Sequence, residues 1–106
     1  MSAGTESANR VELEGTLAEL GRLRHTPAGV AVIEFRIAHQ SERPEAGAMR
    51  KVHAEVPALA FDSTARLVAK QVLGTRIRAD GFLCARSRRS RVPVMHVTDI
   101  EFKPGE

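Results

Sequence analysis

The order of the predicted elements constrains the fold of this chain more than any single motif does. Five stretches are predicted to be β-strands, and the first three of them alternate apolar and polar residues with a period of two, which is the pattern of strands with one buried face. They are residues 11–17, 30–39, 49–60, 75–85 and 92–102. One stretch with helical spacing, residues 64–73, lies between the third and the fourth strand. This layout predicts a mainly β chain with the OB-fold, a small five-stranded Greek-key barrel, and a different five-stranded α+β arrangement is the alternative.

A chain of 106 residues is expected to form one domain. Residues 1–8 are small and polar, which predicts a disordered leader in front of a domain that spans residues 9–103. Residues 21–29 and the polar stretch 40–48 are both predicted to be loops. Gly15, inside the first strand, indicates a bulge or a sharp bend, which the strands of barrels often need.

The single helix is predicted from its cap and its apolar spacing. Asp62 or Ser63 is expected to cap its first turn, because both side chains can accept a backbone N–H. Gly74 stands where a glycine commonly ends a helix. The apolar side of the helix is expected to consist of Leu67, Val68 and Leu73.

The most basic segment lies between the last two predicted strands. Within six residues it contains four arginines, Arg86, Arg88, Arg89 and Arg91, separated by Ser87 and Ser90. We call residues 86–91 the arginine loop. Because each guanidinium can hold a phosphate through two hydrogen bonds, a hairpin tip of this kind suits a polyanion. A loop that is merely solvated is the alternative.

Positive charge is concentrated in one part of the chain. Residues 63–98 contain eight lysines and arginines against Asp80 alone, whereas residues 1–62 and 99–106 each carry more acidic than basic groups. The formal net charge of +3 therefore conceals a directed basic surface, which is typical of proteins that bind nucleic acids. Such binding is expected to depend more on charge than on stacking, and salt should weaken it strongly.

Other candidate DNA contacts lie outside the arginine loop. Arg22, Arg24 and His25 form a second basic cluster in the loop after the first strand. Lys51 and His53 share the polar face of the third predicted strand. His53 is either a stacking partner for a base or a solvated surface histidine.

Aromatic residues for stacking on bases are scarce, because the chain has four Phe and neither Trp nor Tyr. Phe35 and Phe102 are predicted to lie in the core, and Phe61 is expected to pack at the start of the helix. Phe82 falls on the polar face of its strand. It is therefore the phenylalanine that we expect at the DNA.

Several functions have no support in the sequence. The histidines lack Cys partners at zinc-site spacing, and there is neither a glycine-rich phosphate loop nor a recognisable catalytic triad. We therefore expect no enzyme activity, no metal and no cofactor. Cys84, the only cysteine, fits a reducing compartment and is predicted to be a small buried hydrophobe. No stretch is apolar enough for a signal peptide or a membrane span, which predicts a cytoplasmic protein without a membrane partner.

Four segments match one known family in order and spacing. They are Asn9-Arg-Val-Glu-Leu-Glu-Gly-Thr-Leu, Arg24-His-Thr-Pro-Ala-Gly-Val, Val56-Pro57 and Gly81-Phe-Leu-Cys-Ala-Arg-Ser-Arg-Arg-Ser. Over nearly the whole chain, from Asn9 to Phe102, the sequence resembles the family of primosomal replication protein N, or PriB. The Thr-Pro-Ala-Gly turn and the arginine-rich hairpin are the most telling segments.

The resemblance implies a homodimeric OB-fold that binds single-stranded DNA and assists the primosomal helicase in restarting stalled replication forks in bacteria. It also implies contacts with other primosome proteins and a location at forks, associated with the nucleoid. By position, the arginine loop would be a principal DNA contact. The sequence departs from the family in the third strand, where some members have a Trp and this chain has His53.

Two other functions remain as alternatives. The first is a general single-stranded DNA-binding protein of the same fold. Such proteins usually carry a long flexible tail, whereas this chain is expected to end at Glu106, directly after its last strand. The second is an interaction adaptor whose basic loop docks on an acidic protein surface. The salt dependence of DNA binding would distinguish the adaptor from the main prediction.

Overall fold

The computed structural model describes residues 7–103, and this range contains six β-strands and one α-helix. In chain order they are β1 (Val11–Leu20), β2 (Arg24–His25), β3 (Ala31–Glu45), β4 (Ala48–Phe61), α1 (Asp62–Ala69), β5 (Arg76–Ala85) and β6 (Pro93–Lys103). Most of the predicted leader, residues 1–6, lies outside the described residues, and Ser7 and Ala8 are exposed without regular structure. No helix in the described range is long and apolar enough to cross a membrane.

The strands form a closed barrel. The order in the sheet is β1-β5-β6-β4-β3, and β1 also pairs with β3, so the first strand completes the circle. β4 pairs with β6 in parallel through its residues 58–60, and the other neighbouring pairs are antiparallel. A five-stranded barrel with one short helix, here between β4 and β5, confirms the OB-fold prediction. The two-residue β2, which pairs with β3, lies in the stretch 21–29 that was predicted to be a loop.

Closure depends on β1, which changes partner at Thr16. Residues 11–16 pair with β5, and residues 16–20 pair with β3. The irregularity in the ladder lies between Leu17 and Glu19, two residues later than the predicted position. Gly15 is required for a different reason than the predicted bulge, because a methyl group there would overlap a backbone carbonyl oxygen of β3. The glycine allows two backbones to approach closely at the corner of the barrel.

The inside of the barrel is filled by aliphatic side chains from the inward faces of the strands and from α1. The largest fully buried side chains are Leu17, Ile33, Ile37, Ile77, Met95 and Val68. Phe35 is also in this cluster, as predicted, and Phe102 packs against it while partly buried. Burying a large aliphatic side chain contributes about 1.5–3 kcal/mol relative to exposing it, so this cluster stabilises the barrel.

The helix differs from its prediction at both ends. Its N-cap is Phe61, which makes no side-chain cap hydrogen bond, and Asp62 enters the helix with a φ of 59°. The helix ends at Ala69, and Leu67 and Leu73 are 46% and 61% exposed. The predicted cap and two of the three residues on the predicted apolar side are therefore wrong. A helix of only two turns, lying on a closed barrel, offers a narrow side to the core.

β3 and β4 continue beyond the barrel as a two-stranded ribbon. The stretch 40–48, predicted to be a polar loop, forms ladder pairs as far as Glu45 opposite Ala48, so that prediction is wrong. The ribbon ends in a two-residue turn at Ala46 and Gly47, with φ values of 53° and 83° that fit a type I′ hairpin turn. Because most of the ribbon is exposed on both faces, residues 40–48 lack the apolar–polar alternation of a half-buried strand.

A register shift at Gly81 separates two parts of β5. Asp80 lies opposite Asp99, but Gly81 lies opposite Val97, so β6 has one residue more than β5 at this point. A methyl group at Gly81 would overlap a backbone carbonyl oxygen of β6. Beyond the shift the side chains of β5 are exposed, including that of Cys84. The prediction of a buried Cys84 is wrong because the strand has left the core at this position.

Candidate nucleic-acid interface

The arginine loop is a short turn that its own serines close. The backbone N–H of Ser87 donates to the carbonyl oxygen of Ser90 at 3.2 Å. The Oγ of Ser87 accepts the backbone N–H groups of Arg89 at 3.2 Å and of Ser90 at 3.1 Å. A hydroxyl oxygen thus acts where a turn would otherwise use a backbone carbonyl. As a result, Arg88 and Arg89 are held at the tip of the hairpin.

The arginines of this loop differ in their ion pairs. Arg86, at the base of the loop, has its Nη2 3.7 Å from Oε1 of Glu34 on β3. Arg88, Arg89 and Arg91 are exposed and form no ion pair with any residue from 7 to 103. These three guanidinium groups are therefore available to an anionic ligand.

Glu34 also connects the arginine loop with the short strand β2. The Nη2 of Arg24 donates to Oε2 of Glu34 at 2.9 Å. Arg24 lies opposite Val32 in the ladder, so its side chain and that of Glu34 project from the same outer face of the sheet. Arg22 and His25 are exposed beside it. The structure therefore brings Arg24, one residue of the second predicted basic cluster, next to the arginine loop.

A groove of about 470 Å³ lies between these two loops, on the outer face of β3 and β4. Three arginines line its walls: Arg24, Arg36 and Arg86. Its apolar lining includes Val32, Leu59, Phe61 and Val94. Guanidinium groups above an apolar floor can hold the phosphates of a strand while its bases contact the floor.

Lys51 and His53 lie on the same outer face, far from the arginine loop. Alternation along β4 places both of them on the side of the strand that also carries Phe61. The eight positions from His53 to Phe61 correspond to about 26 Å of extended strand. His53 lines a second groove, of about 570 Å³, together with Arg76 and Lys103. The predicted contacts thus form two patches along one face rather than a single cluster.

Three aromatic rings form a row on the outer face. The ring centroids of Phe82 and His96 are 5.0 Å apart, and those of Phe61 and His96 are 5.8 Å apart. Phe82 and Phe61 are 37% and 40% exposed, so each ring has a side on which a base can stack. Of these three rings, only Phe82 is among the DNA contacts predicted from the sequence. Alternation along β4 is the signal that could have placed Phe61 on the outer face, because every second residue from Lys51 to Phe61 lies on that face.

The histidines have separate surroundings. His39 is held between Glu14 and Ser41, with its Nδ1 2.7 Å from the Glu14 carbonyl oxygen and its Nε2 2.9 Å from the Ser41 hydroxyl oxygen. His96 belongs to the aromatic row. In the part of the chain that the structure describes, no three His, Cys, Asp or Glu side chains are grouped closely enough to hold a metal ion.

Residues 9–99 match the model of a protein family described as "another single-strand binding protein family". The chain is 35% identical to the replication restart protein PriB of Nitrosomonas europaea over 91 residues, which cover 86% of this chain and 84% of that protein. It is 41% identical to PriB of Bordetella pertussis over 86 residues, covering 81% and 79%. The chain belongs to the PriB family.

A comparison with solved structures agrees with this assignment. A solved structure of PriB from Ralstonia solanacearum is similar with a TM-score of 0.81 and 30% identity, and the match covers 92% of this chain and 100% of that one. The PriB resemblance that was predicted from four sequence segments is therefore confirmed.

The first of those PriB-like segments has a local structural role. The side-chain amide of Asn9 donates to the carbonyl oxygen of Leu83 at 2.8 Å, and its Oδ1 accepts the N–H of Leu83 at 2.9 Å. These two bonds continue the β1–β5 ladder beyond its last pair, Val11 with Gly81. Asn9 therefore fixes the arm of the hairpin that carries the arginine loop.

Replacing Ser87 by alanine tests how the arginine loop is ordered. A neutral hydrogen bond contributes about 1 kcal/mol, so loss of the Oγ acceptor should speed amide hydrogen exchange at Arg89 and Ser90 by about fivefold to tenfold. The melting temperature should change little, because the loop is exposed. Ser63→Ala, an exposed serine on α1, is the control. Unchanged exchange at both amides would show that the serine does not order the turn.

Proposed function

We propose that this chain binds single-stranded DNA on the outer face of its barrel and acts in the restart of stalled replication forks. The observation that carries the proposal is the groove between the arginine loop and β2, with its guanidinium walls and apolar floor. OB-folds bind oligonucleotides on this face and through these loops. The matched relatives are named replication restart proteins, and the matched family is described as single-strand binding.

The site suits a single strand better than a duplex. The guanidinium groups of the arginine loop neutralise phosphates, and the exposed rings of Phe82 and Phe61 stack on unpaired bases. A duplex buries the faces of its bases in its own stack and offers the rings no partner. From the loop, the strand would cross the aromatic row and continue along β4 towards His53. Contacts of this kind distinguish little between bases, so we propose binding without strong sequence preference.

The proposed role is binding without a catalytic step. The groove supplies charge neutralisation and stacking, and the strand leaves it chemically unchanged. We therefore propose no metal and no cofactor. The protein would act at forks, in association with the nucleoid.

Replacing Arg86, Arg88, Arg89 and Arg91 together by alanine should weaken the binding of a labelled oligodeoxythymidine on the order of tenfold or more. For the parent, the log of affinity against the log of salt should have a slope of about −3 to −4, since roughly four to six phosphates are neutralised. The variant should have a shallower slope. Fluorescence anisotropy titrations at several salt concentrations measure both quantities.

The melting temperature of the quadruple variant should hardly change, because exposed charges contribute little to stability. Arg66→Ala is the control, since this exposed arginine pairs with Asp62 on α1 and does not line the groove. A flat salt response of the parent would rule out electrostatic binding. A variant that melts much earlier than the parent would show that the arginines are structural.

We further propose that the protein is a homodimer, because the ribbon leaves strand edges uncovered. Among the described strands, β4 pairs with β6 only through residues 58–60, so residues 48–57 have a neighbour on one side alone. Exposed edges of this length are usually paired or covered. Light scattering at micromolar concentration should return twice the monomer mass of 11.6 kDa. A monomer mass would contradict the dimer.

We also propose that the primosomal helicase, with other primosome proteins as further partners, binds a surface that overlaps the arginine loop. The loop presents three guanidinium groups that pair with no acid from residue 7 to residue 103, and an acidic protein surface can bind them as a phosphate does. DNA and helicase would then exclude one another. By linkage, each ligand must weaken the binding of the other by the same factor.

Two titrations test this exclusion. Helicase is added to protein held on a labelled oligonucleotide, and oligonucleotide is added to protein held on immobilised helicase. Each addition should release the protein from its first ligand. Independent binding in both directions would reject the overlap, and the absence of any helicase binding would favour a general strand-coating protein.

A further inference from the structure

Glu34 is an acidic residue at the centre of the basic groove. It projects from β3 between the two loops, and each carboxylate oxygen faces a different arginine. Oε2 lies 2.9 Å from Nη2 of Arg24, and Oε1 lies 3.7 Å from Nη2 of Arg86. Its ladder partner on β4 is Leu59, which carries no charge. One carboxylate therefore bridges the two loops that line the groove.

A carboxylate at this position imitates a phosphate of the ligand. The guanidinium group binds carboxylate and phosphate oxygens with the same planar fork. A phosphate between Arg24 and Arg86 needs the donors that Glu34 already uses, and the charge of Glu34 repels it. The DNA backbone and Glu34 are therefore competitors for the same two arginines.

The tip of the arginine loop gives a strand access without this competition. Arg88, Arg89 and Arg91 pair with no acid in the described part of the chain, so a strand can bind them first. A strand held at the tip has its next phosphates at high effective concentration beside Arg86. The Glu34 carboxylate is about half exposed, and ion pairs of this kind contribute little to stability. A tethered phosphate can displace Glu34, whereas an isolated anion has no such advantage.

We infer that Glu34 is a built-in competitor of the DNA backbone. Its carboxylate occupies Arg24 and Arg86 until a strand has bound the arginine loop. The inference rests on the proposed function and adds a selectivity to it. The groove favours ligands that carry several linked phosphates over isolated anions. Glu34 acts through the two arginines and is a positioning residue.

The variant Glu34→Gln keeps the size of the side chain and removes its charge. It should bind a labelled oligodeoxythymidine about fivefold more tightly at about 0.1 M salt, with a log–log salt slope steeper by about 0.7, the value of one phosphate contact with a single strand. Inorganic phosphate should compete with the oligonucleotide at lower concentration on this variant than on the parent. Anisotropy titrations give all three quantities.

Glu12→Gln is the matched control. It removes the same charge from another partly exposed carboxylate that pairs with an arginine, Arg78, outside the groove. Because exposed charges at a distance are screened by salt, this control should change the affinity by less than about twofold.

A variant that lacks both arginines tests whether Glu34 acts through them. When Arg24 and Arg86 are both alanine, Glu34→Gln should lose most of its effect, because no guanidinium group is left to release. A purely structural role of Glu34 would instead change the affinity and the melting temperature alike in both backgrounds.

The outcomes separate this inference from the proposed function. If Glu34→Gln binds the oligonucleotide no more tightly than Glu12→Gln, or more weakly than the parent, the competitor role is overturned while DNA binding stands. If neither the parent nor any variant binds the oligonucleotide, the proposed function and the inference are overturned together.

Discussion

Closure of the barrel by β1 is the constraint on which the rest of the structure depends. One strand pairs with β5 in its first part and with β3 in its second, and this is possible because the backbone at Gly15 passes directly against that of Ala38. A closed barrel has one inside, so alternate residues of its strands must supply the core. The outward residues of β3 and β4 are released from packing and are available to carry charges and rings.

The same closure determines where the loops meet. β1 and β2 pair in succession along one edge of β3, which brings Arg24 to the outer face beside Glu34. The hairpin of β5 and β6 ends over this face and adds Arg86. Positive charge is therefore graded across the surface. Among residues 7–103, no acid pairs with the arginines at the tip of the arginine loop, whereas Glu34 pairs with arginines inside the groove. A polyanion therefore meets the strongest attraction at the tip.

Sequence patterns predict this structure where near neighbours in the chain decide the environment of a residue. Alternation predicts the main strands, and a run of like charges predicts the arginine loop. Patterns fail where both faces of a strand meet water, or where a distant pairing partner decides the environment of a residue. The stretch 40–48 is strand without alternation because both of its faces meet water, and Cys84 is exposed because a register shift with β6 ends the buried part of its strand. The contact of Phe61 with His96 and the bridge through Glu34 join residues that no local pattern connects.

The register shift at Gly81 also divides β5 into two parts that differ in how a substitution affects the barrel. Before the shift, alternate side chains enter the core, and a substitution there affects the whole barrel. After it, Asn9 holds the strand through the backbone N–H and carbonyl of Leu83, without regard to the side chain. The β6 arm opposite is different, because Val94 and Met95 are buried there and anchor the hairpin to the core. Changes of charge are therefore tolerated in the β5 arm and in the arginine loop, while the β6 arm keeps the hairpin on the barrel.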